Sequence, residues 1–335
     1  MTTTRTKKLL NDPDNALAES LAGFGLANSD LVQVDPQRQL VLRRGAPVPG
    51  KVGVLSGGGS GHEPLDSGYV GDGMLDAAVL GSIFTCPSPD RIVDATLAID
   101  GGAGVLYIVK NYTGDVMNFR LAAERARAAG VEVEIVLVAD DVAVEAAAVG
   151  RRGTGATVLV ERLAGASAER GASLAEVAVV ARRVTAQSRS FGVALTSCST
   201  LALGRPSFHL GEDEIELGVG IHGEPGWRRG RMLPAAQLVA ESVQAIVADL
   251  EPEPGSGMLA FVNGFGASPL MELYVVYNDL VAELTRRGLQ VLRSLVGNYL
   301  TSLDMAGTSI TLLVLDDDLT ELWDSPVRTV GLRWG

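Results

Sequence analysis

The sequence predicts an α/β protein of two α/β domains with mixed, mostly covered sheets. Three observations carry that expectation: the length, a recurrence of short β-branched runs, and amphipathic stretches with readable ends between them. At 335 residues the chain exceeds the usual size of one hydrophobic core, and 47% hydrophobic against 20% charged residues is an ordinary globular balance. The runs 51–56, 105–110, 131–138, 191–196, 258–262 and 310–315 are short and rich in branched apolar side chains, as buried strands are. Ser88-Pro89 and Ser268-Pro269 each offer an N-cap followed by proline at the first helical position. The second pair opens a helix over 270–287 that Gly288 closes, and Gly130 closes a helix over 115–129 in the same way. A helix over 174–187 and the polar stretch "TAQSRS" at 185–190 mark the domain boundary, giving domains of 1–187 and 188–335. The stretch "EPEPGSG" at 251–257 reads as a surface loop within the second.

Charge and cysteine content remove several classes of function. With 28 basic and 40 acidic residues the net charge is -12, which repels phosphate backbones and anionic lipid, so neither nucleic acid nor membrane is an expected partner. Cys86 and Cys198 are too few for a disulfide framework or a thiolate zinc site, and no metal site is expected on this chain. No signal peptide or long apolar span is visible, and the basic residues 1–8 read as a mobile end, so the expected setting is cytoplasmic.

The three histidines are the most informative residues. His62 lies in "GGGSGHEP" at 57–64 and His222 in "GVGIHGEPG" at 218–226. Each follows a strand-like run, is flanked by glycines that let backbone approach a ligand, and precedes Glu and Pro. A lone histidine is more often structural than catalytic, but two such settings among three histidines reverse that prior. His209, in "PSFHLGEDE", lacks the glycines and reads as structural. A third cluster, Lys110, Asn111, Thr113 and Asp115, falls where a strand gives way to a helix, the place where open α/β sheets bind ligands. In isolation Asp115 reads as an N-cap or first-turn carboxylate, a role compatible with catalysis. No nucleotide site is convincing. "GAPVPGKV" at 45–52 starts like a P-loop but has Val52 where Ser or Thr would hold magnesium, and it precedes its strand, so it reads as a turn. Neither a dinucleotide fingerprint nor a nucleophile elbow occurs at 57–64.

These residues resemble the substrate-binding subunit of the dihydroxyacetone kinases, the DhaK family. The likeness runs in one order from "KKLLNDPD" at 7–14 through "SGGGSGHEP", "GYVGDGMLDAA" at 68–78, "FTCPSPD" at 84–90 and "VKNYTGDVMNF" at 109–119. It continues through "GRRGTGATVLVERLAGASAERG" at 150–171, "GRPSF" at 204–208, "ELGVGIHGEPG" at 216–226 and "TSLDMAG" at 301–307. The resemblance implies that His222 attacks the ketone carbon of dihydroxyacetone and holds it as a hemiaminal, for which the imidazole must be neutral. It implies that His62 and Asp115 act as acid/base groups at the substrate hydroxyl, and that Gly59 and Lys110, with His62 and Asp115, bind the ketose. The chain would carry no cofactor of its own. ADP or ATP with magnesium would sit on a nucleotide-binding partner subunit, and the reaction would be that of a phosphoenolpyruvate-glycerone phosphotransferase or an ATP-dependent glycerone kinase in glycerol metabolism. The tail "LWDSPVRTVGLRWG" at 322–335 resembles stand-alone bacterial subunits served by a phosphoryl carrier of the phosphotransferase system, and the family pairs as a homodimer. Departures from the family pattern at 65–67, Cys86 and 196–208 flank the expected sugar pocket, which keeps a four-carbon ketose such as erythrulose as an alternative substrate. A non-catalytic ketose receptor acting as a co-regulator is the other alternative; retention of His62 and Asp115 beside His222 favours catalysis. An apolar-ligand binding protein on a similar fold would not need three polar clusters.

Overall fold

The computed structural model describes residues 6–144, 150–201 and 204–335. In chain order, α1 (Ala16–Ala27) precedes β1 (Val32–Asp35), β2 (Leu40–Arg43), β3 (Gly53–Ser60) and β4 (Ala77–Ile83). Then come α2 (Pro89–Ile99), β5 (Val105–Lys110), α3 (Thr113–Ala128), β6 (Val133–Val138), α4 (Ala156–Glu169) and α5 (Leu174–Ala186). The second half holds β7 (Ser188–Ala194), β8 (Glu214–Leu217), β9 (Arg228–Arg231), α6 (Ala235–Leu250), β10 (Gly257–Gly264), α7 (Leu270–Arg286), β11 (Gln290–Gly297) and β12 (Gly307–Leu315). It closes on α8 (Asp317–Asp324), β13 (Val327–Arg328) and β14 (Arg333–Trp334).

Two six-stranded sheets result, ordered β1-β2-β4-β3-β5-β6 and β11-β10-β12-β7-β8-β9. In the first, β4, β3, β5 and β6 run parallel while β1 and β2 add antiparallel edges. Every residue of β3 and β5 is buried, which is why those strands show no alternation of apolar and polar side chains. Ile92, Ala95 and Ile99 of α2 and Phe119, Ala122 and Ala126 of α3 pack on Leu55, Val79, Tyr107 and Val109. The second sheet is mainly antiparallel, with β10 and β11 parallel. There α6 and α7 bury Val239, Val243, Ile246, Leu273, Leu280 and Leu284 on Phe191, Met258, Ala260 and Ile310. Among the described residues no helix is long and apolar enough to cross a membrane.

The compact units are not consecutive in sequence. One comprises 14–138, 157–186 and 317–335, the other 1–13, 139–156 and 187–316. The expected division at 187/188 therefore lies beside one of five crossings. The others follow from pairings between distant segments: Ser190 N donates to Asp140 O, and Arg162 of α4 donates to the carbonyls of Trp323 and Ser325. Ser88 is the N-cap residue of α2 with Pro89 at its first position, as anticipated, though its side chain makes no capping bond, whereas Pro269 itself is the N-cap of α7. Its ψ of 146° is extended, and Ser268 instead bonds Gly307 through its hydroxyl and carries no cap bond.

Candidate functional site

In the unit built on the first sheet, the glycine run does not follow the strand but is the strand. Gly57, Gly58 and Gly59 pair with Val79, Leu80 and Gly81 of β4, and a side chain at each would meet a different neighbour. A Cβ on Gly57 would stand 2.2 Å from Val79 O, and one on Gly59 would stand 2.5 Å from Thr85 N. A Cβ on Gly58 would meet Lys110 Cε at 3.0 Å and Nζ at 3.2 Å, with Asp115 Oδ1 at 3.9 Å. Lys110 and Asp115 thus converge on the bared backbone of β3.

Beyond the strand end His62 is 1% exposed, its ring stacked on Phe84 at 4.9 Å with 22° between planes. Asp115 lies in the first turn of α3 and is buried; the N-cap is Tyr112, so Asp115 does not cap that helix. Lys110, the last residue of β5, is enclosed and donates to Asp66 Oδ1 at 2.9 Å, Asp66 Oδ2 at 3.1 Å and Gly57 O at 3.0 Å. Burial pulls its pKa down, but the nearby charges, Asp66 first and then Asp115, outweigh burial and keep the ammonium above its ordinary value. Cys86 packs against Gly114, receives Asn118 Nδ2 at 3.2 Å, and has its thiol pushed up by burial and by the Asp115 charge. His62, Gly59, Lys110 and Asp115 therefore gather at the ends of β3 and β5 and the start of α3. Asp66 and Glu161 join them, and neither was singled out from sequence as a site residue, because a carboxylate in a loop and one in a helix show nothing of where they fold.

In the other unit His222 occupies the turn from β8 to β9, its side chain 18% exposed. Glu224 folds back on it: Oε1 lies 2.8 Å from His222 Nδ1, and Oε2 accepts the His222 backbone N–H at 3.0 Å. Burial pushes the Glu224 carboxyl up, but the hydrogen bond and charge of His222, with Arg152, hold it below the ordinary value. An ionised carboxylate only accepts, so Nδ1 is the nitrogen that carries the proton, and in the neutral ring the lone pair then lies on Nε2. Arg152 braces the turn, donating to Asp141 Oδ2 at 2.7 Å and to Gly218 O at 2.7 Å. Burial pushes the Asp141 carboxyl up to about 6 despite that arginine. Gly220 leaves the space these groups fill, since a Cβ there would sit 2.0 Å from Glu224 Oε2 and 2.6 Å from Arg152 Nη1. Glu224 and Arg152 were missed from sequence; the Glu two residues after His222 was the available signal. His209 is exposed in a loop between β7 and β8.

Comparison with known proteins places the chain in a family. A family model described as the Dak1 domain covers residues 22–331. The PTS-dependent dihydroxyacetone kinase 1, dihydroxyacetone-binding subunit DhaK, of Listeria innocua is 48% identical over 97% of this chain and 99% of its own. Among solved structures, the dihydroxyacetone kinase operon co-activator DhaQ superposes with a TM-score of 0.88 at 33% identity, over 94% of this chain and 97% of its own. The dihydroxyacetone kinase of C. freundii superposes in its native form with a TM-score of 0.87 at 36% identity, over 98% of this chain and 60% of its own. That kinase has also been solved with AMP-PNP and Mg2+.

Proposed function

The chain belongs to the Dak1 domain family, and from that premise we propose that it is the dihydroxyacetone-binding subunit of a dihydroxyacetone kinase, a phosphotransferase. The observation that carries the covalent part of the reading is the 2.8 Å pairing of His222 Nδ1 with Glu224. With Nδ1–H held by a carboxylate, the Nε2 lone pair adds to the ketone carbon. A C–N bond forms, the carbonyl π pair moves to oxygen, and that oxygen takes up a proton. Glu224 stabilises the imidazolium that develops and takes its Nδ1 proton; the oxygen takes its proton from water, and Glu224 returns the one it accepted to solvent, so the net product is a neutral hemiaminal beside an ionised Glu224. A polyol without a carbonyl has no such anchor.

Phosphoryl transfer asks the terminal hydroxyl of the captured ketose to attack phosphorus and shed its proton. Asp115 or His62 receives that proton in our reading, while Lys110 and the Gly59 backbone bind the ketose. The donor is an ADP- or ATP-type nucleotide with magnesium on a partner subunit. In support, the C. freundii chain solved with AMP-PNP and Mg2+ is longer, and this chain covers 61% of it. A phosphotransferase-system carrier as the ultimate source is supported by the PTS-dependent relative. We extend the reading to a cytoplasmic homodimer in glycerol metabolism. The likeness to DhaQ favours, as a second reading, a ketose receptor that regulates transcription without turnover.

Native mass spectrometry of the wild type and His222→Ala, with dihydroxyacetone and with erythrulose, tests the anchor. A hemiaminal adds the whole ketose without loss of water, on the wild type alone. An adduct surviving in the variant would move the anchor elsewhere, and the stronger of the two sugars identifies the substrate. Mixing the chain with its purified nucleotide subunit separates the readings: formation of sugar phosphate supports the kinase, and capture without any product supports the receptor.

A further inference from the structure

The departure at 65–67 lies wholly in the interior, with Leu65, Asp66 and Ser67 all buried, and the middle residue brings a carboxylate there. Asp66 is 1% exposed and takes Lys110 Nζ on both carboxylate oxygens, at 2.9 and 3.1 Å. Ser56 Oγ stands 3.2 Å from Asp66 Oδ1 and 3.0 Å from Ile108 O, so its one proton serves either. Together with the bond to Gly57 O, this fixes the ammonium against β3 in a bidentate grip. Asp115 Oδ1 approaches the same glycine, Gly58, from the α3 side.

We propose that Asp66 is a positioning residue for phosphoryl transfer: by holding Lys110 it keeps the ammonium from closing on Asp115, and so preserves Asp115 as a base. The inference rests on the kinase reading given above. One cation faces two aspartates here, and an ion pair made directly with Asp115 would stabilise that carboxylate against taking a proton. Assigned to Asp66, the ammonium stays within the field of Asp115 without neutralising it.

The titratable groups that face this pair from the surrounding elements are Glu161 on α4 and Cys86 before α2. Glu161 is fully buried, and burial together with the Asp66 charge raises its carboxyl well above the ordinary value against the pull of Lys110. The Cys86 thiol is likewise pushed up, by burial and by Asp115.

The test uses the full chain with its nucleotide subunit, following both ketose capture and the pH dependence of kcat. Asp66→Asn should retain capture on His222 yet lose turnover roughly 10- to 100-fold, with the acid limb of the kcat profile moved down by about one pH unit as Lys110 pairs with Asp115. The double variant Asp66→Asn/Lys110→Met leaves the net buried charge as it is in the wild type, which keeps the question open to experiment if Asp66→Asn fails to fold. Its acid limb should lie above that of the wild type, the opposite direction from Asp66→Asn. Any other order of the limbs, or an Asp66→Asn enzyme with wild-type turnover, overturns the inference. A wild type that neither captures ketose nor makes product overturns the kinase reading instead.

Discussion

At the scale of single residues, His222 draws its chemistry from a neighbour two positions away. Glu224→Gln keeps the size of the side chain but can present an amide N–H to Nδ1, which forces the proton to Nε2 and removes the lone pair that attacks. The rate of ketose capture should fall by up to about 10⁴-fold, the loss that follows when a triad histidine is held in its wrong tautomer, with the fold intact by circular dichroism. The same carboxylate has a pH signature. Its folded-state value lies below the ordinary 4.5, so its contribution to stability is complete above that value and is lost as pH falls through the lower, folded one. The gap in melting temperature between wild type and Glu224→Gln should therefore be constant from neutral pH down to about 4.5 and close below it. A gap that does not close would remove the charge of Glu224 from the account. The histidines and Asp115 were legible because their residue types and glycine settings are local. Glu224, Arg152, Asp66 and Glu161 were not, because what they do depends on which distant atom they meet.

At the scale of elements, the glycine run shows why a strand can be mistaken for the loop after it. Residues 51–56 carry the branched apolar signal, yet β3 extends to Ser60 through three residues without side chains. Glycine normally weakens a strand, and is tolerated here because other chain segments fill the missing volume. The consequences differ along the run. Gly57→Ala sets a methyl against the Val79 carbonyl, backbone on backbone, and should cost about 1–3 kcal/mol or more, read as a lowered urea midpoint. Gly58→Ala meets only the flexible end of Lys110, so it should fold with a near-normal midpoint while displacing the ammonium and lowering turnover. Equal losses of stability at both positions would mean that β3 and β4 resist any Cβ and that Lys110 is not the special neighbour of Gly58.

At the scale of the whole molecule, the sequence pattern announced two α/β cores but not how the chain is shared between them. The alternation of runs and helices is local and survives in both sheets. The passages of 139–156 and 317–335 into units otherwise built from the opposite half rest on long-range pairing that no window of sequence displays. In the unit of the first sheet, the tail supplies Trp323, which is 5% exposed, and Trp334, over whose ring the Arg162 guanidinium sits at 5.3 Å. Arg162 is itself buried, with its guanidinium spent on Gly73, Trp323 and Ser325 carbonyls. A fragment ending at residue 187 would keep that cation and lose two of the three carbonyls, leaving a buried charge short of acceptors, at a cost of several kcal/mol. It would also carry Asp140 without Ser190, whose hydroxyl and amide both bond to it. The 1–187 fragment should therefore be poorly folded alone and should gain a dispersed amide spectrum only when 188–335 is supplied in trans. A dispersed spectrum from the isolated fragment would show that the tail and the crossing segment are dispensable for the first core, and that the division at 187/188 is an energetic boundary after all.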